Sequence, residues 1–359
     1  MTLLVVSPHL DDAVLSVPVR LRREARAGHR VVVATLFSEG RDGALRREED
    51  RRALVSLGCE PRPLGLWDAP ERRGLVRNAR SLLLAPLAGA DPDVRRAREE
   101  LDGLARELRP GRIWLPLGVG EHVDHRVAHA AGRALRAPVA FYEDRPYACV
   151  HGATAARLHR LGAGPAVDPD ALAAAGRAAS FARAFLPRGR DTEAVLRSLA
   201  GDPAATPPLA DVVRAVVPTA KELDAALQAV AAYASQLPDL FGGLEPRAIL
   251  ADPDGIYRER LHELRPSPRR TSEPARGGGR RAALRETSRE PAGGRAPRRG
   301  PRRSSRRGNA ASQRRGAGPL GLRTGRSAGR GSSSGTARCS CGGTPCSRTR
   351  RCGSGASGR

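Results

Sequence analysis

The apolar positions of this chain fall into short unbroken runs separated by stretches of helical period. Residues 2 to 7 (TLLVVS) and 29 to 37 (HRVVVATLF) are runs of large aliphatic residues at strand length, the pattern of strands buried on both faces. Between them, residues 13 to 27 carry helical spacing, with Asp11 and Asp12 as N-cap candidates and Gly28 as a stop. Pro18 lies inside that stretch and predicts a kink or a late start. A helix is expected over 46 to 58 (RREEDRRALVSLG) and a short strand over 63 to 66. A loop rich in Gly, Pro and Arg follows, then a helix over 91 to 108, a strand over 111 to 118 (GRIWLPLG), a helix over 121 to 135 and a strand in APVAFYED. Residues 151 to 218, Ala-rich and broken by prolines, predict helix and loop only. Residues 219 to 237 predict an amphipathic helix with Leu223, Ala226, Leu227, Val230 and Ala234 on one face, and the folded body is expected to end with YRERLHEL near Leu264. The short-period alternation of strand and helix predicts an α/β fold, a mostly parallel sheet flanked by helices with right-handed crossovers.

Composition changes this picture only at the C-terminal end. The formal charge of +24 would suggest a nucleic-acid binder, but 265 to 359 holds 25 Arg and 3 acidic residues, while 1 to 264 holds 37 basic and 35 acidic ones. The body is therefore nearly neutral, and overall charge says nothing about its function. Beyond Tyr257 there is no aromatic residue, and from Arg265 onward the large aliphatics are Leu284, Leu320 and Leu322, too few to offset chain entropy. Two domains are expected: a folded body, 1 to 264, and a disordered basic tail, 265 to 359. The tail has the composition of out-of-frame translation of G+C-rich DNA as much as that of a genuine extension. If expressed, it would meet nucleic acid through nonspecific phosphate contacts. Cys59 and Cys149 are isolated, as expected of thiols in a reducing compartment, and the four tail cysteines lack zinc-knuckle spacing. No signal peptide and no membrane-length apolar run is evident, so the expected location is cytoplasmic.

The chemistry is concentrated where ligands gather in an open parallel sheet, at the carboxyl ends of strands. His9, Asp11 and Asp12 follow the first strand; His122, Asp124 and His125 follow the strand ending at Leu117. Catalytic zinc takes three protein ligands from His and carboxylate and keeps an open position, and His9, Asp12 and His125 supply such a set. Asp11, next to a ligand in sequence, is placed to accept a proton as general base, and His122 to stabilise or protonate what leaves. Each residue also has a plainer reading: an Asp after a strand commonly caps a helix, and a lone His at a strand end is commonly a hydrogen-bonded one. His129 and His151 are expected to be structural or solvated.

PHLDDAVL resembles the P-H-x-D-D signature of the PIG-L/LmbE-type N-acetylglucosaminyl deacetylases, and EHVDHRVA resembles their H-x-D-H motif. The resemblance extends through RREEDRRALVSLG, LGLWDA and YEDRPYA to AYASQL, covering most of 1 to 264. It implies a Rossmann-like sheet and zinc-dependent hydrolysis of an N-acetyl group from an amino sugar; another divalent metal would suit the same donors. Position by position it implies His9, Asp12 and His125 as metal ligands, Asp11 as general base, and His122 as the stabilising histidine. It further implies that Asp124 orients His122 or His125 from behind, and that Arg46 and Asp68 hold sugar hydroxyls. Leu10 and Ala13 stand where the family usually has Pro and Glu, which leaves the substrate less defined than the reaction. Two other functions remain open on sequence: a metal-dependent hydrolase of another amide or ester, and a nucleic-acid-binding protein acting through the tail.

Overall fold

The computed structural model describes residues 1–72, 79–84, 87, 91–178, 190–202, 209–238 and 245–266. All but the first two residues of the expected tail lie outside the described residues, and so does the nucleic-acid reading that rests on it.

Seven strands form one sheet in the order β3-β2-β1-β4-β5-β7-β6. They are β1 Thr2–Ser7, β2 Arg30–Glu39, β3 Glu60–Trp67, β4 Arg112–Pro116, β5 Val139–Tyr142, β6 Leu209–Val216 and β7 Glu259–Pro266. The first five are parallel, whereas β7 runs antiparallel to both β5 and β6. The helices are α1 Asp12–Ser16, α2 Pro18–Arg26, α3 Gly43–Ser56, α4 Ala79–Leu84, α5 Pro92–Leu108, α6 Val123–Gly132, α7 Ala153–Arg160, α8 Pro169–Ala178, α9 Arg190–Ala200, α10 Ala220–Val230 and α11 Pro246–Leu250.

The continuous apolar runs behave as expected, because successive residues enter different cores. Leu4 and Val6 of β1 join the cluster beneath α5 and α6, while Leu3 and Val5 join the one beneath α1, α2, α3 and α10. The stretch 13 to 27 is two helices, broken at Val17, with Pro18 at the first position of α2 where its missing N–H costs nothing. The helix over 219 to 237 is shorter than expected: a capping box between Thr219 and Glu222 starts α10, which ends at Val230.

The Ala-rich segment corrects the reading of helix and loop only, since its end, Leu209–Val216, is the edge strand β6. Its partner β7 begins in the expected final segment of the body and continues two residues past Leu264. No helix among the described residues is long and apolar enough to cross a membrane.

Buried charge holds the antiparallel corner together. His262 of β7 lies between two carboxylates, with Nε2 3.1 Å from Glu143 Oε1 and Nδ1 2.9 Å from Asp211 Oδ2. Arg260 holds the other oxygen of Glu143. Burial pulls the His262 pKa down, but hydrogen bonds to Glu143 and Asp211 outweigh it and the net shift is upward. The folded chain thus binds this proton more tightly than the unfolded chain. The resulting stabilisation is full below the unfolded value of about 6.5 and is lost as pH rises through the folded one. Urea unfolding across this window should show wild-type stability falling with pH more steeply than that of His262→Gln. Parallel curves would refute the assignment.

Candidate metal centre and active site

The strand order changes direction between β1 and β4, whose carboxyl ends flank the crevice where open α/β sheets bind ligands. His9, Asp11 and Asp12 leave β1 there, and His122, Asp124 and His125 leave β4. The fold therefore brings two motifs more than a hundred residues apart into one cluster. One nitrogen each of His9, His122 and His125 lie within 4.8 Å of one another, a group that could hold a metal ion. Asp12 sits between two of these imidazoles: its Oδ2 is 3.0 Å from His9 Nδ1 and 3.3 Å from His125 Nε2. It also accepts the His9 backbone N–H at 2.8 Å. The three side chains expected as ligands thus meet at one point, while the donor groups within mutual reach of one cation are His9, His122 and His125 and, separately, His9, Asp68 and Asp124.

The far nitrogens of the two histidines meet fully buried carboxylates. His9 Nε2 is 3.1 Å from Asp124 Oδ2, and His125 Nδ1 is 2.6 Å from Asp144 Oδ1. Here the structure departs from expectation, since the carboxylate of Asp124 meets His9 rather than His122 or His125. Asp124 also accepts the Ala69 N–H and the Arg72 guanidinium, which ties the segment after β3 to the histidine cluster. Asp144 was missed on sequence, although an acid just past a strand end is the signal that marked Asp11 and Asp12.

His122 caps α6 with its own ring, Nδ1 accepting the Asp124 backbone N–H at 3.2 Å. The neutral ring therefore carries its proton on Nε2. Burial, reinforced by the neighbouring His9, holds the His122 pKa well below its ordinary value. Burial also lowers His125, but the carboxylates of Asp12 and Asp144 outweigh it and the net shift is upward. Asp11 is buried beside Asp12, and desolvation with that like charge pushes its carboxyl up to about 8.

A cavity of about 430 Å³ opens over the cluster, lined by His9, Asp11, Asp12, Arg46, Asp68, His122 and His125, with Tyr147, Ser235 and Gln236 among its walls. Arg46 and Asp68 reach it together: Arg46 Nη1 is 3.7 Å from Asp68 Oδ2. Arg46 Nε and Asp68 Oδ1 are buried without a hydrogen bond, although Asp68 Oδ1 is 3.4 Å from His9 Nε2. All eight sequence-selected residues thus belong to this locality, seven lining the cavity and Asp124 behind it. The wall from the C-terminal half is fastened at three points. Tyr233 donates to Asp50, Ser235 donates through N–H and O–H to Glu49, and Gln236 Nε2 donates to Leu10 O at 3.1 Å.

The departures at Leu10 and Ala13 do not open onto the cavity. Both side chains are buried, and Ala13 packs in the apolar cluster under α1. His129 is structural, bonded to Pro116 O and stacked on Phe141, whereas His151 is exposed.

Residues 4–135 match the family described as GlcNAc-PI de-N-acetylase, PIG-L. This segment, well under half of the chain, is similar to a PIG-L domain. A 2'-N-acetylparomamine deacetylase of Streptomyces fradiae is 36% identical to it over 165 residues, 40% of this chain and 57% of that protein. The chain thus spans less than two thirds of that curated relative. Among solved structures, a deacetylase–teicoplanin complex from the teicoplanin biosynthesis pathway has a TM-score of 0.51 at 22% identity, covering 75% of this chain and all of that one. The zinc-inhibited form of teicoplanin deacetylase Orf2 has a TM-score of 0.50 at 23% identity, with 74% and 98% covered. These likenesses show the overall fold alone. The cavity draws on more than the matched segment, because Pro146, Tyr147, Ser235 and Gln236 all follow residue 135.

Proposed function

We propose that this chain is a metal-dependent N-deacetylase, with zinc as its cation, that removes acetate from an N-acetylglucosamine-containing small molecule or glycoconjugate. One observation carries the reading: a cation-ready His9–Asp12–His125 set, an adjacent buried carboxyl on Asp11 and an unsatisfied Arg46–Asp68 pair face one cavity. The free, isolated Cys59 and Cys149 suit a reducing, cytoplasmic setting.

A zinc ion held by His9, Asp12 and His125 would polarise the amide carbonyl and acidify water. Asp11 takes the proton of the attacking water. His122 offers Nε2–H to the oxyanion that develops on the carbonyl oxygen, because its Nδ1 is occupied in capping α6. Asp11, whose protonated form burial favours, then returns the proton to the departing amine nitrogen, and acetate is left. Arg46 and Asp68, paired with each other on the cavity wall, orient the sugar through its hydroxyls.

The test is acetate release by the zinc-loaded full chain from a panel of N-acetylglucosaminyl compounds, with other N-acyl amides and simple esters run beside them. Release from at least one amino-sugar member is expected. Zinc-loaded protein that hydrolyses only the other amides or the esters would overturn the substrate while leaving the metal chemistry in place.

A further inference from the structure

The metal reading accounts for His9, Asp12 and His125 but not for Asp144, a wholly buried acid two residues beyond β5. Its two oxygens are fully used. Oδ1 lies 2.6 Å from His125 Nδ1, and Oδ2 accepts the backbone N–H groups of Gly118 at 2.7 Å and Val119 at 2.9 Å. Those amides belong to the turn that carries His122 and His125 out of β4, and Leu117 N–H donates to Tyr142 O beside them. Asp144 therefore grips both the imidazole and the backbone that presents it.

Resting on the metal reading above, we infer that Asp144 is the positioning residue for His125: it holds the ring with its proton on Nδ1 and its lone pair on Nε2, the atom facing Asp12, and so sets the affinity of the site for its cation. A carboxylate is required because all three partners are N–H donors. An asparagine offers one oxygen and one NH₂. If the oxygen serves the two backbone amides, the NH₂ faces His125 Nδ1, which must then accept, and the ring proton moves to Nε2 where the cation would bind. If the amide is turned round, its NH₂ meets two backbone N–H groups that find no acceptor. Either orientation degrades the site. Asp124 performs the matching task on His9 Nε2 but is also bound by Arg72 and Ala69, so it does not substitute for Asp144.

The experiment is zinc competition against a chromophoric chelator for the full chain and four variants, with melting of the metal-free proteins alongside. Asp144→Asn is expected to weaken zinc binding about 10- to 100-fold, the range found for residues behind a ligand histidine. In a His125→Ala background the same substitution should add no further weakening, which a general loss of structure would not reproduce. The expected order is wild type tightest, Asp144→Asn intermediate, and His125→Ala equal to the double variant.

Should Asp144→Asn fail to fold, ring nitrogen-15 shifts of His125 in zinc-loaded wild type decide the matter. Ligation through Nε2 with a protonated, hydrogen-bonded Nδ1 is expected, and ligation through Nδ1 would overturn the proposal. Asp144→Asn binding zinc within twofold of wild type, while His9→Ala binds it poorly, would refute the role of Asp144 and leave the metal site intact. Wild type that binds no zinc would instead sink the metal reading on which the role rests.

Discussion

Asp11→Asn is expected to retain zinc with near wild-type affinity while acetate release falls about 10²- to 10⁴-fold, the usual range for a lost general base. The substitution preserves volume at a buried position and removes only the group that can take a proton. Asp11 is suited to that task by its surroundings. Burial and the Asp12 carboxylate raise its pKa, against which Arg46 and His9 pull downward, and divalent charge on Asp12 pulls the same way as they do. Metal content together with kcat and KM for any panel substrate makes the check. Full turnover by a zinc-loaded variant would move the base to another residue, and loss of zinc with loss of turnover would make Asp11 a ligand.

Asp12→Ala has the opposite signature. Its Oδ2 is the one carboxylate oxygen in contact with both His9 Nδ1 and His125 Nε2 among the described residues, and the same oxygen fixes the His9 backbone. Without it the two imidazoles have no shared anion. Zinc affinity should fall by more than about 100-fold, beyond what loss of a residue behind a ligand costs, and activity should reach background. A thermodynamic readout is independent of substrate. Zinc at 100-fold above its Kd should stabilise wild type by about 2.7 kcal/mol and leave Asp12→Ala unmoved in thermal melts. A variant still stabilised by zinc would place the cation elsewhere, for example on His9, Asp68 and Asp124, whose donor atoms also lie within 4.8 Å of one another.

How much of this was legible in sequence follows from where each residue's neighbours come from. β1, β2 and β4 are continuous aliphatic runs because both their faces are covered, and such runs announce themselves. β6 and β7 do not. LADVVRAV leaves Val212 and Val213 substantially exposed on an edge strand, and ERLHELRP buries Glu259 and His262, so neither shows the expected alternation of apolar and polar positions. Their polar residues are buried by pairing with one another and with Glu143, which only the fold reveals. The site divides in the same way. His9, Asp11 and Asp12 are clustered in sequence and could be found there, but the hand that Asp124 gives to His9 spans 115 positions and cannot be read from a motif. Asp144 lay within a stretch that resembled the family, yet its role is defined by His125 and by two backbone amides rather than by anything beside it.

The fastening of Gln236 to Leu10, across 226 positions of sequence, has a bearing on how the chain is made. Synthesis delivers both histidine–aspartate motifs and the matched 4–135 segment long before the turn that walls the cavity leaves the ribosome. A nascent chain halted in the Ala-rich middle would hold the clustered histidines and their acids with one side open to water, where the proposed cation would be held weakly and the proposed sugar would have no second wall to rest against. Competence for the proposed reaction is therefore expected late in translation, when residues 233 to 236 dock on α3 and on the loop after β1.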